Sequence, residues 1–499
     1  MPTIFNSKDS VFFVGGQGTK AGDQYAGGAT LEAWNDVAKL NKNLANVMGA
    51  NGEPASESDA WNGSQTACTI TNNGSGKVRI TRSSAFGFFP WLGLIANIEF
   101  SGIYDNDRYE VINRDPAENW IDIDLDYQAP GNGEPTCDCK VGGAFEKAQT
   151  VWNNTDATNG YSVTIHSNKN QSKTNGDFIA TWNLGTAGGS MANKSFKRFA
   201  GFTTQPEDGG QVTFDGEDDA AFNPNGGICF DNTIEAVIFE NVIVEDAYMN
   251  WKSVNTNVNS IRFVNCQGNS GAFYGWLLSY GRGFALIDCQ ANDNGFNGFY
   301  LGLGSGYPNH LLINCIAHGN VREGFQYTGG AFSSVLLGCI AYDNGNGGTK
   351  YSGFLTSSFY GSALLKNCVA YDNGKHGFEF TKSNPIAINC IAKDNGQWGF
   401  YANVAGSLMA PHVAYCCAHG NGSGQFSLPA ALPEQNCIEE APQFVDAANG
   451  DFRPRNPAVL RGGKPDINGN PTQMGAILQK YQFGDRERIA NMARLRIIR

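Results

Sequence analysis

Positive charge is scarce in this chain. Lysine and arginine total 35 against 47 aspartates and glutamates, a net charge of −12 over 499 residues. A nucleic-acid partner needs a concentrated basic face, so that class is set aside. The acidity is not held in one dense block, which is ordinary for a soluble protein. Long apolar runs are missing as well. None reaches transmembrane length, and no membrane partner is expected. The opening MPTIFNSKDSVFFVGG offers only Val11 to Val14 as an apolar stretch, too short for a secretory core. The expectation is a chain made in a cytoplasm and not exported by the usual route. A phosphate loop is missing too: GGQGTKAG, Gly15 to Gly22, lacks Gly-Lys-Ser/Thr and a strand–helix setting, and reads as a flexible loop. Cys137 and Cys139 form a lone CxC with no second pair, which argues against zinc. No cofactor is expected.

Glycine, in contrast, is plentiful at 63 residues, without the G-X-Y period of collagen. One phrase recurs: NCIAHGNVREGF (Asn314 to Phe325), GCIAYDNGNGGTKYSGF (Gly338 to Phe354), NCVAYDNGKHGF (Asn367 to Phe378) and NCIAKDNGQWGF (Asn389 to Phe400). Cys266, Cys289, Cys315, Cys339, Cys368, Cys390 and Cys416 lie 23, 26, 24, 29, 22 and 26 residues apart. The total of 13 cysteines is odd, and a disulfide framework has no need of one cysteine per repeat. A buried ladder of free thiols does. The residues two before the cysteines (Val264, Ile287, Ile313, Leu337, Lys366, Ile388 and Ala414), apolar at every turn but that of Lys366, and alanines two after (Ala291, Ala317, Ala341, Ala370, Ala392, Ala418) give the period of a strand with one buried face. Five residues after the cysteine come Asn294, Asn320, Asn344, Asn373, Asn395 and Asn421, usually followed by glycine, marking a sharp bend. A Gly-Phe pair then opens the next strand.

One such unit cannot bury its own apolar face, but a stack can. Stacking in parallel puts cysteine on cysteine and asparagine on asparagine, whose amides then hydrogen-bond along the axis. The fold class expected is all-β, a right-handed parallel β-helix. Ankyrin and TPR units need helices, and propeller blades need repeats of about 40 residues. Residues 141–428 are assigned to the β-helix, with a capping helix at VGGAFEKAQTVWN and weaker rungs at YSVTIHSN, QVTFDG and AVIFENVIVEDA. Residues 1–140 are assigned to a smaller attachment domain. It has a Thr-capped helix at Thr30 to Gly49 and the short strands ACTITNN, KVRITRS, ANIEFSG, DRYEVINR and WIDIDLDY, which suit a small barrel or sandwich. Residues 429–499 are assigned to a cap that closes the open end, Pro429 to Pro471, and a basic tail, RERIANMARLRIIR, with five arginines.

The region Val141 to Ile477 resembles the right-handed parallel β-helix superfamily of pectate-lyase-like enzymes and phage tailspikes. The Cys/Asn phrase is similar to family 9 polysaccharide lyases. The closing stretch DFRPRNPAVLRGGKPDINGNPTQMGAI is similar to the ends of such chains, with Gln473-Met474-Gly475-Ala476 where they carry D-x-G-A. Ala96 to Tyr127 resembles a β-module recurring in structural proteins of tailed phages. The fold hosts lyases, hydrolases, adhesins and virion spikes, so the fold alone does not choose. With no export signal in the reading, the resemblance implies a virion structural protein: a capsid decoration, head fibre or tailspike-like body. Its partners would be other virion proteins and a surface glycan, and its assembly a homo-oligomer, a trimer above all. The alternative it implies is an extracellular polysaccharide lyase or glycan depolymerase acting on an acidic polysaccharide, the one case that brings in Ca²⁺.

Lyases of this fold use a Lys or Arg base beside Ca²⁺ held by carboxylates. Asp343, Asp372 and Asp394 recur in register, with Lys350, Lys366 and Lys393 near in sequence. Each of these aspartates precedes Asn-Gly, so a turn-forming role is the preferred reading. Asp293 continues the column, and Gly319 and Gly420 interrupt it. The Gly-His-Gly and Arg-Ile-Lys of polygalacturonase-type hydrolases are not matched: Ala317 and Ala418 precede His318-Gly319 and His419-Gly420. The aromatics Trp276, Tyr300, Tyr307, Tyr327, Tyr360, Trp398 and Tyr401 suit either sugar stacking or a core. A last stripe, Ile316, Ile340, Val369 and Ile391, lies one residue after the cysteines. A corner at the cysteine would turn it inward, the preferred reading. Strict alternation would put it outside, as a seam for side-by-side copies.

Overall fold

The computed structural model describes residues 10–14, most of 64–141, residues 148 and 152, and, with breaks in connecting loops, 163–476. The expected helix at Thr30 to Gly49, the Gly15 to Gly22 loop, Tyr307, Tyr360 and the arginine-rich tail lie outside them. The chain forms two compact units. The first takes Met1–Ile179, Thr186–Thr213 and Ala236–Val242, and the second the remainder.

The first unit contains a closed antiparallel barrel, in the order Ser64–Asn72, Lys77–Thr81, Trp120–Asp126, Asp107–Arg114, Ile95–Phe100 and Thr136–Val141. Five of these strands are legible in the sequence, and TCDCKV closes the ring. Alternation supplies its core: Ile70, Val78, Ile80, Ile121 and Ile123 are fully buried, beside the thiols of Cys68 and Cys137. Buried Asp122 is matched by Arg79, whose Nε and Nη2 donate at 2.6 and 2.9 Å, and by the Asn73 and Asn113 amides at 3.2 Å. A satisfied buried carboxylate of this kind is structural. Ser10–Val14 joins the same unit by pairing in parallel with Val163–Ser167, which pairs in turn with Lys197–Gly201. The short apolar run at Val11 to Val14 is therefore a solenoid-type strand. Ala148 and Trp152, both helical and buried, are the described positions of the expected capping helix.

The second unit is a parallel β-helix. One sheet runs from Val258–Val264 through Leu311–Ile313 to His412–Ala414. The next, ten strands wide, runs from Trp182–Asn183 through Phe325–Thr328 to Gly424–Ser427. The third runs through Gln267–Asn269 and Ile316–His318 to Cys417–His419. Register is strict. Ala291, Ala317, Ala341, Ala370, Ala392 and Ala418 lie over one another, and so do Phe299, Phe325, Phe354, Phe378, Phe400 and Phe426.

Three ladders hold the coils in step. The cysteines of the repeat are all fully buried and free. Burial pushes the thiols of Cys289, Cys315, Cys339, Cys390 and Cys416 far up, so they act as small apolar groups. In the second ladder each asparagine Nδ2, from Asn294 to Asn395, donates to Oδ1 of the next at 2.8–3.0 Å. The same Oδ1 also accepts the backbone N–H of the preceding asparagine at 3.0–3.2 Å. The third is a column of rings. Phe299, Phe325, Phe354, Phe378 and Phe400 stack nearly parallel at 4.8 Å, with Trp276 beneath them at 5.7 Å.

The glycine of Gly-Phe follows from the asparagines. A Cβ at Gly298, Gly324, Gly353, Gly377 or Gly399 would lie 2.7–2.9 Å from the Nδ2 of a ladder asparagine. The corner ahead of each cysteine is left-handed: Asn265, Asp288, Asn314, Gly338, Asn367 and Asn389 are types that tolerate this geometry best, and Tyr415, ahead of Cys416, is the exception.

The C-terminal segment departs from the expectation of a simple end cap. Gln435 and Ile438 add a partial rung on Ala414 and Cys417. The chain then returns along the flank of the third sheet. There Phe452, Val459, Met474 and Ala476 bury Ile340, Val369, Ile391 and Cys417, with Ile316 at the edge. The apolar stripe thus faces out of the coil, contrary to the inward corner preferred from sequence. Its partner is this chain's own C-terminal segment, so it is not open as a seam to a second copy. Corner asparagines clamp the strap: Asn367 Nδ2 donates to the Gln473 and Gly475 carbonyls at 3.0 Å, and Asn389 Oδ1 accepts the Lys464 N–H at 2.7 Å.

Candidate functional site

The aspartate column lies at the corner that ends the third sheet. Asp293, Asp343, Asp372 and Asp394 all have φ of 50–57°, and Gly319 and Gly420 take the same left-handed geometry at 67° and 69°. A Cβ at Gly319 would lie 2.1 Å from Asp293 Oδ1, so a glycine there leaves room for the carboxylate below. Burial, and then the charges of Asp343 and Asp394, raise the Asp372 carboxyl. Lys393 pairs with Asp394. Lys366 is exposed at the end of Ala363–Lys366, before the Asn367 corner, and a whole strand, Val369–Tyr371, separates it from Asp372. Lys350 is exposed in a connecting segment. Among the described residues no three or more His, Cys, Asp or Glu side chains form a group able to hold a metal, so this column does not fit a Ca²⁺ site.

The aromatic candidates divide. Trp276 is fully buried in the ring column, so it cannot meet a sugar, and Tyr327 is buried too. The strand alternation that made them candidates does not say which face is which. Trp398 and Tyr401 are half-buried and reach the surface of the second sheet.

That surface is where the repeat breaks its own pattern. The residues on either side of each Gly-Phe pair form two neighbouring columns, in which Asn297, Glu323, Ser352, His376, Tyr300 and Glu379 are buried and the others half-buried. The position before the glycine reads Tyr274, Asn297, Glu323, Ser352, His376 and Trp398 in successive coils. The position after the ring reads Leu277, Tyr300, Gln326, Leu355, Glu379 and Tyr401, in register. These columns bond to each other. Asn297 Nδ2 donates to Glu323 Oε2 at 3.0 Å and to Gln326 Oε1 at 2.6 Å. Ser352 Oγ donates to Glu379 Oε2 at 2.6 Å, and Lys375 Nζ donates to both Glu379 oxygens at 2.9 and 3.0 Å. The His376 ring stacks on Tyr401 at 4.3 Å, and its Nδ1 accepts the Trp398 N–H at 3.2 Å. Tyr274 packs edge-on to Tyr300 at 5.3 Å. The Arg322 guanidinium lies over Phe296 at 3.3 Å, with Tyr351 at 5.1 Å.

The electrostatics of this face are uneven. Burial pushes the Glu323 carboxyl up, and the charge of Glu379 adds to it. Glu379 carries an ammonium partner. Burial lowers His376 to about 4, so its imidazole is neutral at physiological pH. Burial, then the neighbouring Tyr300, lifts Tyr274 to about 12. Sequence reasoning passed over Glu323, Glu379 and His376. The available signal was their placement in the unrepeated slots of a repeated phrase.

No family model matches the sequence, and no curated protein matches it. Solved structures do. Pectate lyase Pel9A is 17% identical, with 67% of this chain and 91% of that one covered and a TM-score of 0.53. A rhamnogalacturonan lyase is 15% identical over 69% and 94% of the two chains, with a TM-score of 0.43. ORF18 of Geobacillus virus E2 is 13% identical over 59% and 58%, with a TM-score of 0.29. The shared feature is the fold: the chain is a parallel β-helix.

Proposed function

We propose that this chain is a virion structural protein whose β-helix is a rigid, glycan-engaging body, presenting the outer face of its second sheet to a polysaccharide. The observation that carries the glycan part is the pair of irregular columns. The cysteines, alanines, asparagines and phenylalanines repeat in register from coil to coil, whereas this face varies and gathers the half-buried Tyr274, Trp398 and Tyr401 near carboxylates, a histidine and an arginine. Amphipathic rings beside hydrogen-bonding groups suit sugar faces and hydroxyls. The virion part rests on the Ala96 to Tyr127 module and its resemblance to structural proteins of tailed phages. Under this proposal the partners are neighbouring capsid or tail proteins, and the assembly is a homo-oligomer, a trimer above all. Because the apolar stripe is covered in cis, an oligomer would use another surface.

Binding to pectate, rhamnogalacturonan, α-1,3-glucan and a glycan array tests the glycan reading. The expected result is retention on at least one glycan, with Tyr401→Ala weakening it several-fold and leaving the fold intact. No retention by the intact chain on any of them defeats the reading. Antibody labelling of purified particles tests the virion reading, and sedimentation velocity the oligomer. The second reading, a polysaccharide lyase, draws on the Pel9A likeness, and unsaturated products detected by ultraviolet absorbance would establish it.

A further inference from the structure

We infer, independently of the glycan and virion readings, that Ile477 to Phe483, the stretch following the strap, lies along the outer face of the first sheet and covers Leu337, Ile313 and Ile287. Register fixes the two faces of that sheet. Phe263, Leu286, Leu312, Leu336 and Leu365 lie over one another in the coil interior. The next residue of each strand, Val264, Ile287, Ile313, Leu337 and Lys366, therefore points out. This outer column is apolar for four coils and becomes charged at Lys366, and Leu311 and Val335 widen it.

Although it faces outward, Ile287 is fully buried and Ile313 is 5% exposed. The described side chains packed on the pair, Val264, Leu311 and Leu337, belong to the same face. Side chains on one face of a sheet stand side by side and do not roof one another, so the cover comes from outside the face. The cover also has an end. Ile386, on the same face two coils past Leu337, is 39% exposed.

The strap leads to the covered side. Asn389 and Asn367 are corners between the first and third sheets. Asn389 Nδ2 donates to Thr472 Oγ1 at 3.2 Å, and the Gly475 N–H donates to the Asn389 carbonyl at 2.6 Å. One coil earlier, Asn367 holds the Gln473 and Gly475 carbonyls. The contacts step from the Asn389 coil to the Asn367 coil as the chain advances, toward Leu337 and away from Ile386. Beyond Ala476 the sequence continues for 23 residues and opens ILQKYQF, in which Ile477, Leu478, Tyr481 and Phe483 are apolar and no residue is acidic. The Ile287 coil lies three coil heights from the Asn367 coil, about 14 Å, and seven extended residues reach about 23 Å.

A second copy of the chain is the other occupant to weigh. The covered patch is about 20 Å by 10 Å, roughly 200 Å². That is a quarter of the ~800 Å² each partner buries in a stable pair of copies. One extended segment fits the patch, and a second copy does not. With the third-sheet stripe already under the strap, the chain closes two of its three sheet faces by itself.

The test places p-benzoylphenylalanine at Tyr481 in the full chain, irradiates it and maps the cross-link by peptide mass spectrometry. The expected product is a monomer-sized band joined to the peptide carrying Ala285–Ile287 or Leu311–Ile313. Joining elsewhere in the chain, no joining, or a band of two copies overturns the inference, the last in favour of a second copy. A second measurement follows trypsin cleavage after Lys480. Ile313→Asp should raise that rate at least about tenfold over wild type, while Ile386→Asp, on the same face outside the patch, should leave it within about twofold. An unchanged rate in Ile313→Asp, or an equal rise in Ile386→Asp, also overturns the inference. If Ile313→Asp does not fold, the cross-link decides.

Discussion

Asn373 uses every hydrogen-bonding position of its amide. Oδ1 accepts from the Asn344 N–H and Nδ2, while Nδ2 donates to the Ala341 carbonyl and to Asn395 Oδ1. Asn373→Asp preserves size but removes both donors, and leaves a buried charge facing a carbonyl. We expect it to lower stability by about 2–4 kcal/mol, read from the urea midpoint, with Asn373→Ala in the same range. His310 carries the opposite kind of information. It is buried, packs against Phe284 at 5.2 Å, and neither ring nitrogen has a hydrogen-bond partner among the described residues. Burial lowers it from 6.5 to about 3. The folded value lies below the unfolded one, so the unfolded chain takes up the proton first. The stability held above pH 6.5 is then lost as the pH falls toward 3. His310→Phe should flatten that loss, seen as a smaller drop in melting temperature between pH 7 and pH 4. His376 adds to the same trend, so the flattening is partial. The repeated residues could be read in advance because identical letters at a fixed interval imply identical surroundings. Glu323 and Glu379 could not, because they fill slots for which the repeat has no rule.

At the level of the element, the C-terminal strap is the feature that sequence placed wrongly. Cysteine and the apolar residue after it are both buried, for different reasons: one faces the coil interior, the other lies beneath Met474 and Phe452. Strand periodicity cannot separate the two cases, because the second depends on chain that follows much later. Ser10–Val14 is similar, since its pairing partner Val163–Ser167 lies far along the sequence. Met474→Asp places a charge among Ile391, Val369 and Val459. It should lift the strap and cost about 3–5 kcal/mol. It should also uncover the stripe, so concentration-dependent association should appear by sedimentation velocity where the wild type shows none beyond its native state. Phe354→Ala, at the middle of the ring column, should cost about 3–5 kcal/mol without that association, because the cavity it leaves is internal. The contrast between the two variants separates loss of the cover from loss of the core.

For the molecule as a whole, the parallel β-helix, its free thiols, its asparagine row and a barrel-like N-terminal module were all legible, because each is dictated by local spacing. The asparagine row has one further property. Every link points the same way, Nδ2 of one coil to Oδ1 of the next. Each turn therefore offers a plug and receives into a socket of the same shape. Chain length in such a body is counted in whole turns. Excising Cys266 to Asp288, a whole turn upstream of the strap that carries Gly271 where later turns carry the ladder asparagine, would join Asn265 to Cys289 and leave every link from Asn294 to Asn421 in place. That shortened chain should melt cooperatively, whereas removing only Leu277 to Asp288 should leave an insoluble product.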